Sequence, residues 1–231
     1  MRNMAHAVEN QASRSELILD LDGVRNAPIL PRQEVTIGGR KLYVFDDLFT
    51  DSFVESFGIF ILRQDYQPRP SFDNELSAGM DADFIGSLPA IPEVADALVA
   101  HYHPQMTPSP APQVLSHGYA AAMRFGDSSV IHKDIPCDDC VTFLYYGNLI
   151  WRARWGGETI FYDDDQSAVA AVSPRAGRLI LFNAAIYHRA GIPTRECPTF
   201  RYGFSMFYRC QRMLDMAKQR SANAGAAPKI T

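Results

Sequence analysis

Long apolar runs are missing from this 231-residue sequence. No stretch reaches the roughly 18 consecutive apolar residues that a bilayer-crossing helix needs, so no membrane partner is expected. The first fifteen residues, MRNMAHAVENQASRS, lack the apolar core of a secretory signal, and the expected location is the cytoplasm. An excess of positive charge is missing too: 22 Lys and Arg stand against 26 Asp and Glu, a net of −4. That balance removes any overall attraction to phosphate backbones, and no nucleic-acid partner is expected. Cysteine is sparse, and in a reducing cytosol Cys137, Cys140, Cys197 and Cys210 should be free thiols. Cys137 and Cys140 form a CxxC. A structural zinc site would want a second close pair, which Cys197 and Cys210 do not make. A thioredoxin-like motif would want a helix next, yet Val141-Thr142-Phe143-Leu144-Tyr145-Tyr146 reads as a strand. The expectation is plain thiols in a turn.

What remains is an ordinary globular composition, 47% hydrophobic and 21% charged, in a length that suits one domain. We read residues 1–15 as a flexible arm, 16–213 as a single domain and 214–231 as a C-terminal helix or tail. Within the domain, 41–113 is a helical support. Lys41–Phe45 is a short strand, and Thr50 or Asp51 caps a helix through Phe53, Phe57 and Leu62. Pro68 and Pro70 end that region. A second helix runs from Pro92 to about His103, followed by the proline-rich connection MTPSPAPQ. Residues 114–209 form the core. Short β-branched or aromatic runs alternate there with turn residues: Tyr119–Phe125, Val130–Asp134, Cys140–Tyr146, Glu158–Phe161, Ala168–Val172, Arg178–Asn183, Ile186–Arg189 and Phe200–Tyr208. So many short strands predict a mainly β jelly roll, with the N-terminal helices covering one sheet.

His132-Lys133-Asp134 ends one of these strands. Side chains two apart in a strand share a face, so His132 and Asp134 can meet one ion while Lys133 points away. His188 lies on a later strand. Two imidazoles and a carboxylate on one face of an octahedral ion leave three positions open, which suits non-haem iron(II). Taken alone, the pattern is also open to a zinc hydrolase with the same ligand types, or to a chance HxD beside a structural histidine. Downstream, Arg201, Gly203, Ser205 and Phe207 share a strand face by alternation. A guanidinium on a covered face needs an anion, and its fixed fork suits a carboxylate. The alternative is a surface Arg on an edge strand, and apolar neighbours on both sides argue against it.

In this order and spacing HKD, CVTFLYYGNLIW, GGETIF, PRAGRLILF, His188 and RYGFSMFY are specific. The segment from His132 to Tyr208, about a third of the chain, resembles the catalytic core of the prolyl-hydroxylase branch of the 2-oxoglutarate/Fe(II) oxygenases. YVFDDLF and the helix after it resemble the family's N-terminal support. The resemblance implies a double-stranded β-helix (a jelly roll, cupin-like), with His132, Asp134 and His188 as catalytic iron ligands. It implies that Arg201 grips the distal carboxylate of 2-oxoglutarate, that the Tyr146 hydroxyl meets the same carboxylate, and that Thr159 lines the co-substrate pocket beside Ser205. The implied cofactors are Fe(II), 2-oxoglutarate and O2, with ascorbate as a stimulant. The implied reaction is hydroxylation of an unactivated C–H with release of succinate and CO2. Asp134 fills the position that related halogenases leave empty, which disfavours halogenation.

Two departures bear on the substrate. Met123-Arg124-Phe125-Gly126 stands where many relatives carry Arg-Tyr, and Phe207 stands where protein-hydroxylating relatives carry Trp. Phe207 also occupies the place of the second Arg of AlkB-type demethylases. A compact single domain with no obvious docking module suggests a small-molecule substrate, an amino acid or a natural-product intermediate, with a prolyl or protein substrate as the alternative. Arg124, Arg152, Arg154 and Trp155 are candidate substrate contacts, against the reading of solvated loops. A non-catalytic jelly-roll module that binds a metal or ligand is the alternative of another class. The oligomeric state stays open.

Overall fold

The computed structural model describes residues 17–68, 76–107 and 110–215. The expected arm, nearly all of the expected tail, Pro70 and part of the proline-rich connection lie outside them. In chain order the elements are β1 (Gln33–Ile37), β2 (Arg40–Phe45), α1 (Asp51–Leu62), β3 (Gln67–Pro68), β4 (Leu76–Asp81), α2 (Ala82–Gly86) and α3 (Ile91–Tyr102). There follow β5 (Gln113–Met123), β6 (Val141–Tyr146), β7 (Thr159–Tyr162), β8 (Ala168–Val172), β9 (Leu179–Asn183), β10 (Tyr187–Ala190) and β11 (Arg201–Cys210). No helix among the described residues is long and apolar enough to cross a membrane.

Eight strands form one sheet in the order β1-β2-β9-β6-β11-β5-β4-β3, and β10-β7-β8 form a second. Every named pairing is antiparallel. The fold is mainly β, a double-stranded β-helix with N-terminal helices. β6 and β9 show why their sequences are apolar almost without interruption. Val141, Phe143 and Tyr145 of β6, with Leu179 and Leu181 of β9, pack against Phe53, Phe57, Ile61 and Leu98 from α1 and α3. The alternate residues Leu144, Tyr146, Ile180 and Phe182 face the second sheet and meet Phe161 and Val172. Strands covered on both faces need no polar alternation.

The helices start where their sequences direct. The Thr50 hydroxyl accepts from the Phe53 N–H at 3.3 Å, and the Asp81 carboxylate accepts from the Phe84 N–H at 2.8 Å. β1, β3, β4 and α2 are additions to the sequence reading. β2 pairs with β9 and β4 with β5, so the region read as helical support also adds strands to the large sheet. One expected strand is absent. Val130–Asp134 is irregular, and only His132 forms a bridge, with His188. Its polar, mixed flanks offer no continuous ladder.

A buried ion pair closes the β2–β9 end of the large sheet. Arg178 donates through Nε and Nη2 to the two Asp46 oxygens at 2.7 and 2.8 Å, and Arg175 Nη1 adds a third bond at 3.1 Å. Burial alone would raise the Asp46 pKa, but the hydrogen bond and charge of Arg178, then Arg175 and Arg32, hold it below the usual carboxylate value. A lowered folded-state pKa gives stability that is present above the unfolded value, near 3.9, and is lost as pH falls through the folded one. Asp46→Asn is expected to destabilise the protein by about 3 kcal/mol at pH 7. In urea unfolding the gap to wild type should narrow below about pH 4; a gap independent of pH would assign the loss to packing.

Candidate active site

The backbone brings two histidines together before any metal is considered. His132 and His188 exchange both N–H to carbonyl bonds at 2.9 Å, and this sets their rings 4.5 Å apart. Each ring is oriented in the same way. His132 Nδ1 lies 3.0 Å from the Val130 carbonyl, and His188 Nδ1 lies 3.0 Å from the Ile186 carbonyl. A carbonyl only accepts, so each Nδ1 carries its hydrogen and Nε2 is left as the atom that can ligate a metal. Both Nε2 atoms face Asp134, 3.4 Å from Oδ1 and 3.4 Å from Oδ2 respectively. All three ligand atoms lie within 4.8 Å of one another.

Asp134 and His188 are buried, while His132 sits toward the open side with 37% of its side chain exposed. Phe182 packs against the His188 ring at 4.9 Å. Burial would raise the Asp134 pKa; the two imidazoles, His188 first, overcome it and hold the carboxyl well below its usual range. Thr142, on the inner face of β6, donates to Asp134 Oδ2 at 2.7 Å. Two imidazoles that can ligate through Nε2 and an ionised carboxylate, each fixed by an outer hydrogen bond, suit a divalent cation with open positions. Three cis ligands about 2.1 Å from an octahedral cation stand roughly 3 Å apart, close to the spacing found here.

Across the same cavity stands Arg201, the first residue of β11, which is an interior strand between β6 and β5. It is only 3% exposed. Nε donates to the Gly157 carbonyl at 2.7 Å and Nη2 to the Thr159 hydroxyl at 2.9 Å. No carboxylate among the described residues pairs with it. The Gly157 carbonyl reaches it because the residue adopts φ +79°, and a Cβ there would come within 2.9 Å of the Trp151 ring and 3.3 Å of Arg201 Cδ. Ser205 and Gly203 line the cavity beside the guanidinium.

Residues 119–209 match the 2OG-Fe(II) oxygenase superfamily. This segment is a 2OG-Fe(II) oxygenase core. No curated protein sequence matches the chain. Among solved structures, a Trichoplax adhaerens prolyl hydroxylase in complex with a hypoxia inducible factor peptide is similar, with 18% identity and a TM-score of 0.60 over 76% of this chain and 86% of that one. A Pseudomonas putida prolyl-4-hydroxylase shares 16% identity at a TM-score of 0.57, covering 74% and 92%. HygX from Streptomyces hygroscopicus, with nickel and 2-oxoglutarate bound, shares 17% at 0.54, covering 76% and 84%. At these identities the likeness carries the fold.

Of the residues expected in the site, the oxygenase core brings His132, Asp134, His188, Thr159, Arg201 and Ser205 onto one cavity. Tyr146 stands behind it. Its ring faces the Arg201 guanidinium at 5.1 Å, and its hydroxyl donates to the Val172 carbonyl at 2.9 Å. The Thr159 hydroxyl, 2.7 Å away, then donates to Tyr146, and Arg201 to Thr159. Tyr146 thereby fixes Thr159.

None of the expected substrate contacts lines the cavity. Arg124 stacks over Phe200 at 5.5 Å and Arg152 over Trp155 at 5.6 Å. Arg154 pairs with Glu196 at 3.6 Å, and Trp155 is buried. The sequence reading missed Tyr119, Met123, Ser129, Thr142 and Phe182, which also line the cavity. Thr142 left a signal: it is the one aliphatic hydroxyl of an otherwise apolar and aromatic strand.

Proposed function

We propose that His132, Asp134 and His188 hold Fe(II), that Arg201 holds the distal carboxylate of 2-oxoglutarate, and that the enzyme hydroxylates an unactivated C–H of a small molecule. The observation that carries this reading is Arg201 itself. A buried guanidinium that pairs with no carboxylate among the described residues, facing His132, Asp134 and His188 across one cavity, fits a dicarboxylate between them. Bound Fe(II) supplies the oxygen chemistry by which 2-oxoglutarate and O2 yield succinate and CO2 while R–H becomes R–OH.

The chain's own side chains place the reactants. The two Nδ1–H bonds to backbone carbonyls keep both imidazoles in the ligating tautomer. Thr142 keeps the Asp134 carboxylate turned toward them. Gly157 and Thr159 hold the Arg201 fork in one plane, and Leu144 and Phe182 exclude water from the wall between the two ends. Thr142→Val is expected to weaken Fe(II) binding by about 10- to 100-fold with the fold intact. Anaerobic Fe(II) titration checks this, and unchanged affinity would remove Thr142 from the support of the site.

The small-molecule reading is supported by Phe207, which stands where protein-hydroxylating relatives carry Trp. Similar structures hold both kinds of molecule: a HygX structure has hygromycin B bound, and the Trichoplax adhaerens prolyl hydroxylase is in complex with a peptide. The test begins with apo-protein titrated anaerobically with Fe(II) and 2-oxoglutarate, read by the visible charge-transfer band of the chelate. Succinate release is then measured over amino acids, natural-product intermediates and proline-containing peptides. Absence of the band would overturn the site assignment, and turnover confined to peptides would overturn the substrate class.

A further inference from the structure

Spacing in the sequence leaves the CxxC of Cys137 and Cys140 without a second pair, but the fold brings another thiol to it. Cys210 ends β11 next to that turn, and the Sγ atoms of Cys137, Cys140 and Cys210 all lie within 4.8 Å of one another. Cys137 and Cys210 are 4.0 Å apart at sulfur. Met213, in the helical turn after β11, adds a fourth sulfur, with its Sδ 3.5 Å from Cys140 Sγ. The CxxC turn is closed by the Cys140 N–H donating to the Cys137 carbonyl at 3.1 Å. Cys140 and Cys210 are fully buried against Ile135, Ala184 and Phe207, while Cys137 is half-buried and leaves a way in. Cys197 takes no part; its thiol faces the Thr199 carbonyl at 3.2 Å.

We propose that Cys137, Cys140 and Cys210, with Met213, form a binding site for a soft d10 cation, copper(I) in preference to zinc, separate from the iron site. Three thiols converging from two distant segments have no packing need to meet at sulfur, and soft thiolate and thioether ligands select such ions. A cation about 2.3 Å from three sulfurs in a trigonal plane holds them about 4.0 Å apart. Tetrahedral structural zinc sites draw all four ligands from Cys and His, and here the fourth atom is a thioether. A redox or nucleophilic role fits less well, because burial pushes the Cys140 thiol up, away from the thiolate form that such chemistry needs. On binding, each of the three thiols gives its proton to solvent, and no electron transfer is required. Cys137 follows Asp134 by three residues and Cys140 precedes Thr142 by two, so an occupied cluster would also stiffen the segment that carries Asp134.

The test is an anaerobic titration of the reduced full chain with copper(I) supplied as its acetonitrile complex. The readout is the near-ultraviolet thiolate-to-copper charge-transfer band, which His132, Asp134 and His188 cannot produce. The band is expected to saturate at one equivalent in wild type and in Cys197→Ser. Against a bathocuproine competitor, affinity should fall by at least about tenfold in Cys210→Ser. Cys137→Ser replaces the half-exposed member of the cluster and should show the same fall if Cys210→Ser does not fold. No band at one equivalent, or equal affinity in the Cys137 and Cys210 variants and wild type, would overturn the site. Loss of the band to equimolar zinc would overturn the choice of copper.

Discussion

Asp134→Ala is expected to lose Fe(II) binding and hydroxylation together, with Fe(II) affinity down by more than about 100-fold. The carboxylate is the only anionic member of the triad and stands 3.4 Å from both Nε2 atoms. Its removal leaves the two imidazoles without an anionic partner and strips the Thr142 hydroxyl of its acceptor. Asp134 is 6% exposed, so the vacated space is small and lies beside rings already fixed by their own carbonyl partners. The fold should therefore persist, and the loss should register in anaerobic Fe(II) titration and in succinate release, with the unfolding midpoint near wild type. Unchanged turnover in this variant would remove Asp134 from the site.

Arg201→Lys is expected to raise the apparent KM for 2-oxoglutarate by about 10- to 100-fold, the equivalent of a charged hydrogen bond worth about 1.5–3 kcal/mol. Lysine keeps the charge but loses the planar fork. It cannot hold the Gly157 carbonyl and the Thr159 hydroxyl at once while presenting a further donor to the cavity. The kcat at saturating 2-oxoglutarate should change less than KM, since the substituted group lies across the cavity from the triad. An unaltered dependence on 2-oxoglutarate would move the role to another residue.

The parts of this fold that were legible in sequence are those whose pattern is local. β6, β9 and β11 are runs of branched and aromatic residues bounded by turn residues, and the Thr50 cap and α1 follow from one hydroxyl and a helical stripe. β1 was not legible, because the short, largely polar QEVTI gains its strand geometry from pairing with β2. The pairing of His132 and Asp134 was legible as HxD, but its structural cause was not. The segment is not a strand, and a single bridge to His188 orients the first histidine. Arg201 was legible through alternation along β11. Thr142, Phe182 and the third thiol of the cysteine cluster are brought to their partners by strand order across the sheet, which a linear pattern does not encode.

The ligating side chains and Arg201 are anchored to a sandwich closed by helices on one side and a second sheet on the other. Arg124, Arg152 and Arg154 occupy loops that make no contact with the cavity floor. This division makes those loops exchangeable. A library that rewrites residues 124–128 and 152–154, none of which lines the cavity, would sample new ligand preferences with the cavity lining unaltered, and each member could be screened with one assay for succinate.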